Sequence, residues 1–562
     1  MRFFITNLAD NKLKCFKDVY FTGDFVQERD SQLIVSKSSN FVSGQFDEQL
    51  AGFQFESKEI NDYDYTFILA KYNPDDKVFR IQSDLIGFEE AFIYDQDGIF
   101  VFTDSPLSLI EFLNDHNKQT KIDVNKLKDL LYWGTNFIGD TILEFVVRVK
   151  PASFYEIHLQ NMITNRKEYT SFLADKNITD PIKAASDLYE IIDSRFAKYQ
   201  DSGLRFGIGL SGGLDSRAAA YFASKYKFNI SPYFIGEEKV TPFLKTYDVK
   251  RSEEIAEQLG LGKVRVLHPS AIGWKEKIEN DLRNSPLSIS NALQNIGYDF
   301  SDMDVLLTGA MGGELFGACI NDKVPGMTNE GLAKYLLSYI RIVPRYKRGT
   351  LIEKYKKQYI SSDVYEELIN KEEMSHRFEK MKNWVDEQKQ IGLSNIKIVM
   401  KDLYYRFAKN HRTGYFYGLN GLMNVLPVYL TPSVIRQMLC WDDSLFVGKP
   451  VQKQFIKLLG DLSKIRSQTV EVSIESQFRK SSSLRKMFSI GERVLRGGGM
   501  NYLRWLRYED FESTERDILN SSSIPDVINL KNEAWKNNAP FVRMTLVKTA
   551  MLQQKYKVTI DG

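Results

Sequence analysis

Apolar and polar positions follow two different rhythms along the chain. Up to about residue 170 the apolar residues come in short β-branched and aromatic runs: DYTFILAKYN, VFRIQSD, EAFIYDQ and GIFVFTDS. NPDD (Asn73 to Asp76) and DQDG (Asp95 to Gly98) interrupt these runs and read as hairpin turns. A helical stretch, DVNKLKDLLYW, follows, and strands resume up to KPASFYEIHL. From about 180 the period lengthens. DPIKAASDLYEIIDSRFAKYQ is an amphipathic helix with Asp180 as N-cap and Pro181 as first helical residue. LRFGIGL, ISPYFIG, KVRVLH and DVLLTGA read as strands, with RAAAYFASKY and DVKRSEEIAEQLG as helices among them. Such alternation predicts a parallel sheet covered on both faces. Beyond about 325 the chain reads as mostly helical and rich in Lys and Arg, with no internal repeat. The GGG at 497–499 reads as a hinge before a C-terminal helical segment.

Composition narrows the class without naming a chemistry. A chain of 562 residues exceeds what one core usually supports. Its 43% hydrophobic and 26% charged residues are ordinary for a globular protein. A net charge of +2 argues against a nucleic-acid partner. The three cysteines, Cys15, Cys319 and Cys440, have no zinc-ligand spacing and fit a reducing compartment. The apolar run at the N-terminus is too short for a signal peptide. VLLTGAMGGELFGACI contains Glu314 and is too short to span a bilayer. The expectation is a cytoplasmic protein without a transmembrane segment.

Candidate chemistry concentrates in LRFGIGLSGGLDSRAAAYFA, residues 204–223, where two signatures overlap. Gly207, Gly209 and Gly212 spell G-x-G-x-x-G, the dinucleotide fingerprint, whereas Ser211 to Ser216 spell S-G-G-L-D-S. A glycine-rich loop between a strand and a helix is an anion site, because Gly212 and Gly213 permit close backbone approach and the helix N-terminus lies behind them. The helix dipole adds only about 0.3–1 kcal/mol. Ser211 and Ser216 add hydroxyl donors. Asp215 is the informative residue. A carboxylate beside phosphates needs a cation between them, which makes it a Mg²⁺ ligand. The dinucleotide alternative requires an acidic residue at the end of the second strand, and Glu237 comes slightly late. A plain turn at a tight strand–helix junction is the bland alternative. No G-x-x-x-x-G-K-[ST] occurs.

At this point the chain resembles the asparagine synthetase family, which includes β-lactam synthetases and lasso peptide cyclases. S-G-G-L-D-S resembles that family's ATP-pyrophosphatase loop, and VLLTGAMGGELFGA (305–318) is similar to its second motif, S-G-x-G-x-D-E-L-F-G. VQKQFIK (451–457) resembles its lysine helix and maps the pyrophosphate-facing lysine to Lys453. NGLMNVLPVYLTP (420–432) resembles G-x-E-x-R-x-P-F-L-D, with Gly421 and Pro427 kept. IQSDLIGFEEAFIY, FVFTDSPLSL and KPASFYEI resemble segments of the family's glutaminase domain. The resemblance spans about 1–470. It implies an N-terminal Ntn-type αββα sandwich of class II glutamine amidotransferase ancestry over 1–175. It implies an adenine-nucleotide α-hydrolase-like (PP-loop) parallel-sheet domain over 180–470, and residues 471–562 form a helical extension. The implied chemistry is ATP-dependent adenylation of a carboxylate, release of pyrophosphate, and attack by ammonia or an amine. Ser211, Gly212, Gly213, Ser216, Thr308 and Gly309 are the implied ATP contacts, Asp215 and Glu314 the Mg²⁺ ligands, and Lys453 and Asp215 the catalytic residues.

Departures from the family pattern qualify that reading. The family's glutaminase nucleophile is a cysteine at position 2, where this chain has Arg2. Arginine cannot supply a thiolate, so no glutamine hydrolysis is expected. The family's second metal-binding Asp aligns with Gly313, and its proton-removing Glu or Tyr with Ala310. Glu314, one residue on, is a replacement ligand. A non-catalytic nucleotide-binding or scaffold protein of the same fold stays open, as does glutamine-dependent asparagine synthesis, against which Arg2 argues. Implied partners are a small-molecule, peptide or glycan-precursor substrate bearing a carboxylate, and a homodimer is compatible. Asp248 reads as an N-cap, with a nucleotide contact as the alternative, His268 reads equally as an adenine-side contact or an ordinary strand-end histidine, and Asp84 and Tyr94 read as supports of the N-terminal sheet. RIVPRYKR (341–348) and FRKSSSLRK (478–486) read as solvated faces or a docking surface for an anionic substrate.

Overall fold

The computed structural model describes residues 3–10, 12–38, 47–133, 135–137, 140–161, 163–168, 177–211, 213–235, 239–241, 244–245, 247–267, 274–288, 300–339, 371–406, 424–464, 517–524 and 540–560. Arg2, Gly212, Glu237, His268, the two basic stretches and the GGG lie outside the described residues, and so does the side chain of Asp248.

The N-terminal part holds two six-stranded antiparallel sheets. One runs Val146–Arg148, Phe92–Gln96, Ile99–Thr103, Phe3–Thr6, Val19–Gly23, Lys14–Phe16. The other runs Ile163–Glu168, Ser153–His158, Val78–Ser83, Phe67–Asn73, Gln32–Ser38, Val26–Arg29. Side chains alternate across each strand. Phe3, Ile5, Phe100 and Phe102 therefore join Leu33, Ile68, Phe79 and Ile81 between the sheets. Phe4, Ile99 and Val101 face the other way and meet Leu109, Ile110, Leu127 and Leu130 of two covering helices. The far face of the second sheet packs through Ile34, Phe67 and Leu69 on Leu50 and Ile60 of two short helices. The layers are thus helix, sheet, sheet, helix, and each buried aromatic or aliphatic side chain stabilises them by about 1.5–3 kcal/mol.

Both anticipated hairpins form. Asp97 and Gly98 have φ of 55° and 75° between paired Gln96 and Ile99, which is a two-residue type I′ loop. In the other, Asn73 pairs with Val78, and Asp76 accepts the Val78 N–H at 3.1 Å. Asp84 is fully buried and accepts the N–H groups of Phe67, Ile86 and Gly87, so it pins the sheet to the following turn.

The second part is built on a five-stranded sheet: β1 (Arg205–Gly209), β2 (Asn229–Ile235), β3 (Arg265–Leu267), β4 (Val305–Thr308) and β5 (Asn424–Pro427). The order is β3-β2-β1-β4-β5 and every pairing is parallel. Before β1 runs α1 (Pro181–Ala197), capped by Asp180, which accepts the Ile182 N–H at 2.8 Å. After β1 runs α2 (Leu214–Lys225). The chain is therefore mixed α/β, with the two six-stranded antiparallel sheets in the first part and the five-stranded parallel sheet in the second.

Two features depart from the sequence pattern. β5 falls in a region that reads as helical. Near the end of the chain, the helix Pro540–Tyr556 is buried along Met544 to Leu552, and it packs on the helix Trp274–Asn284. Lys548 meets Asp281 at 3.1 Å, both with 1% side-chain exposure. The following strand, Thr559–Ile560, pairs in parallel with Lys121–Ile122 of the N-terminal part. The end of the chain is thus woven into both parts.

Candidate functional site

In a sheet of this order the strand direction of growth reverses between β1 and β4. The loops leaving the carboxyl ends of these neighbours flank a crevice, the usual ligand position in open α/β sheets. The first loop is Ser211 to Ser216 and the second starts at Thr308. Both sequence signatures therefore meet at one place.

The glycines of β1 have a packing reason. A Cβ on Gly207 would collide with Met303 Sδ, and one on Gly209 would lie 3.2 Å from the Tyr233 hydroxyl. The first half of G-x-G-x-x-G thus has a packing reason in neighbouring side chains. Beyond β1, Ser216 Oγ receives the Ser211 N–H at 3.4 Å and lies 3.5 Å from Ser211 Oγ. The loop thus closes on itself over the start of α2, with Gly213 as an extended N-cap that has no side-chain capping bond. Ser211 is exposed and Ser216 buried.

The second loop is fitted against the first. A Cβ on Gly309 would collide with the backbone carbonyl of Asp215. A Cβ on Gly312 would come within 2.6 Å of the Asp215 carboxyl and of the Tyr429 ring edge. Met311 adopts φ 70°, left-handed for a non-glycine residue, and turns the chain into α3 (Gly312–Leu315). The Gly313 N–H at the start of α3 then donates to Asp215 Oδ2 at 2.9 Å. Thr308 Oγ1 accepts the Ala310 N–H, and its carbonyl accepts the Val428 N–H at 2.9 Å. The side chain of Glu314 is half-buried. Its charge, after burial, raises the hydroxyl pKa of Tyr404 well above the usual range.

Tyr429 was not singled out by sequence reasoning. It is 1% exposed and lies against the Asp215 carboxyl. Burial first, and the Asp215 charge second, push its hydroxyl pKa well above the ordinary range. Its ring lies 6.0 Å from that of Phe316 and 6.3 Å from that of Phe455. Phe455 belongs to α4 (Pro450–Leu458), the helix that carries Lys453. An aromatic floor thus ties α4 to the second loop. Lys453 itself is exposed, and among the described residues its ammonium makes no hydrogen bond or ion pair with either loop. The signal for Tyr429 was present in NVLPVYL, but its position under Asp215 depends on a strand pairing distant in sequence.

Asp215, Ser211, Ser216, Thr308, Gly309 and Gly313 are therefore brought together. Glu314 follows on α3, and Lys453 stands apart on a helix anchored to the same floor. No group of three or more metal-binding side chains occurs among the described residues. No known protein family matches the chain, and a search of curated proteins finds no similar sequence.

Proposed function

We propose that the protein is an ATP-dependent, AMP-forming ligase that adenylates a substrate carboxylate for attack by ammonia or an amine. The observation that carries this reading is the junction of the two glycine-rich loops at adjacent strand ends, closed by Asp215 and Gly313. The parallel sheet supports a PP-loop descent for the second part. The helix–sheet–sheet–helix layering supports Ntn-type ancestry for the first.

In this reading Ser211, Gly212, Gly213 and Ser216 hold the leaving pyrophosphate, with Thr308 and Gly309 beside the nucleotide. Asp215 fits Mg²⁺, which takes one or two carboxylates together with phosphate oxygens. Glu314 offers the second carboxylate. Bound there, Mg²⁺ would neutralise charge on the phosphates. The substrate carboxylate oxygen attacks the α-phosphorus, the bond to the β-phosphate bridge breaks, and the nitrogen nucleophile then displaces AMP from the acyl carbon. Lys453 supplies positive charge as pyrophosphate departs. Arg2 leaves the N-terminal part without glutaminase chemistry.

The Gly313 N–H on Asp215, and the absence of a proton-accepting side chain at Ala310, favour a second reading, a nucleotide-binding protein without catalysis. Exchange of labelled pyrophosphate into ATP separates the two. An active ligase exchanges when given a suitable carboxylate from a panel of small acids, peptides and glycan precursors. Lys453→Ala should cut that exchange by roughly 10²–10³-fold. ATP binding with no exchange across the panel would leave the second reading standing.

A further inference from the structure

A groove of about 450 Å³ lies where the two parts meet, lined among others by Asp64 from the first and, from the second, by Glu190, Ile191, Ser194 and Arg195 of α1 and by Lys198 just after it. Its size falls within the range of small-molecule sites. Arg195 is 6% exposed and forms its base. Nη1 donates to the Pro427 carbonyl at 2.7 Å, Nε is buried without a partner, and Nη2 makes no hydrogen bond among the described residues. Burial works against the guanidinium's charge and the nearby Asp64 carboxylate works for it, yet among the described residues two of its nitrogens have no acceptor, so a further acceptor arriving in the groove would be favoured. Lys198 adds a second cation above it, its ammonium 5.9 Å from the Tyr65 ring. The same groove carries carboxylates. Glu190 has no ion-pair partner among the described residues, and Asp64 uses Oδ1 to accept the Ser433 N–H at 3.0 Å. A simple anion would be attracted by one side and repelled by the other.

We propose that this groove binds a small zwitterion of the α-amino-acid class. Its carboxylate meets Arg195 and Lys198, its ammonium meets Glu190 and Asp64, and its side chain lies along Ile191. The site is independent of the nucleotide reading, so it is tested on the full chain without ATP. Titration calorimetry with glycine and L-leucine should give saturable binding, tighter for L-leucine. Acetate and methylammonium, each carrying half of the charge pattern, should bind roughly tenfold or more weakly, the loss expected for one charge-assisted contact. Glu190→Gln and Lys198→Gln, both at exposed positions, should each weaken binding by a similar factor. Ser194→Trp, also exposed, should abolish it by filling the groove. Absence of saturable binding by either amino acid, binding that survives Ser194→Trp, or acetate binding as tightly as glycine would overturn the proposal.

Discussion

The backbone N–H of Gly313 donates to the carboxylate of Asp215 at 2.9 Å, across the gap between two loops that are 98 positions apart in sequence. A main-chain donor thus occupies the position at which the resembled family has an acidic side chain. Asp215 consequently has a structural task, joining the loops, besides any task toward a ligand.

Asn and Ala substitutions separate these tasks. Asp215→Asn keeps an oxygen for the Gly313 N–H, so urea denaturation should find stability within about 1 kcal/mol of wild type. Calorimetric ATP binding should lose its Mg²⁺ dependence in the same variant. Asp215→Ala removes the acceptor as well, and should lower stability by about 1–3 kcal/mol. Unchanged Mg²⁺ dependence in Asp215→Asn would place the cation elsewhere.

Gly309→Ala tests how tightly the loops are fitted. The added methyl collides with the Asp215 carbonyl, which is backbone and cannot swing aside. Forced repacking of this kind costs about 1–3 kcal/mol. Nucleotide binding should fall with it, because the start of α2 must shift. A Gly309→Ala variant as stable as wild type, with intact binding, would mean that the two loops are not in contact.

Gly313→Asp is sterically easier, since a Cβ there would lie 3.6 Å from Asp215 Oδ2. It adds a like charge beside Asp215, so the midpoint of thermal unfolding should drop in metal-free buffer. Mg²⁺ at millimolar concentration should restore most of the loss, because the two carboxylates then share a cation. An equal midpoint with and without Mg²⁺ would contradict a cation site at Asp215.

Lys397 gives a pH-dependent prediction. Its ammonium donates to the carbonyls of Leu439 and Trp441 at 2.8 and 2.9 Å, and burial lowers its pKa from 10.5 to about 8. Between pH 8 and 10.5 the unfolded chain therefore holds a proton that the folded chain has lost, and stability rises with pH across that window. Below pH 8 both states are protonated and the unfavourable contribution is constant, of the order of 3 kcal/mol before solvent relaxation reduces it. Lys397→Met lacks this dependence. The stability of wild type relative to Lys397→Met should increase by about 1–3 kcal/mol from pH 8 to pH 10. A flat difference would mean that the lysine titrates normally.

Elements with a strong local signature were legible from the sequence. Asp97–Gly98 announced its hairpin because a two-residue loop with both φ positive has few acceptable sequences. Asp180–Pro181 marked the start of α1 to the residue. β5 was not legible, because NVLP is short and ends in a residue that cannot donate to a ladder. It is a strand only because β4 lies beside it. The two loops were found by their residue types, but their mutual fit was not. The space for a Gly312 side chain is taken by Asp215 and Tyr429, which are far away in sequence. Arg195 was hidden inside an ordinary amphipathic helix, where periodicity places it toward the core and says nothing of its unmet donors.

The pairing of Thr559–Ile560 with Lys121–Ile122 has a consequence for the order in which the chain can acquire its structure. During synthesis the antiparallel sheets and the central parallel strands emerge long before the residues that complete them. The helix Pro540–Tyr556 brings Met544, Leu546, Val547, Met551 and Leu552 into the shared core, so the surface they cover stays bare until translation has passed about residue 560. Exposed apolar surface on a nascent chain is where misassembly and chaperone capture begin. Ribosome-bound chains halted near residue 500 should therefore be protease-sensitive around Lys121–Ile122 and the helix Trp274–Asn284, and protection should arrive only with the last segment.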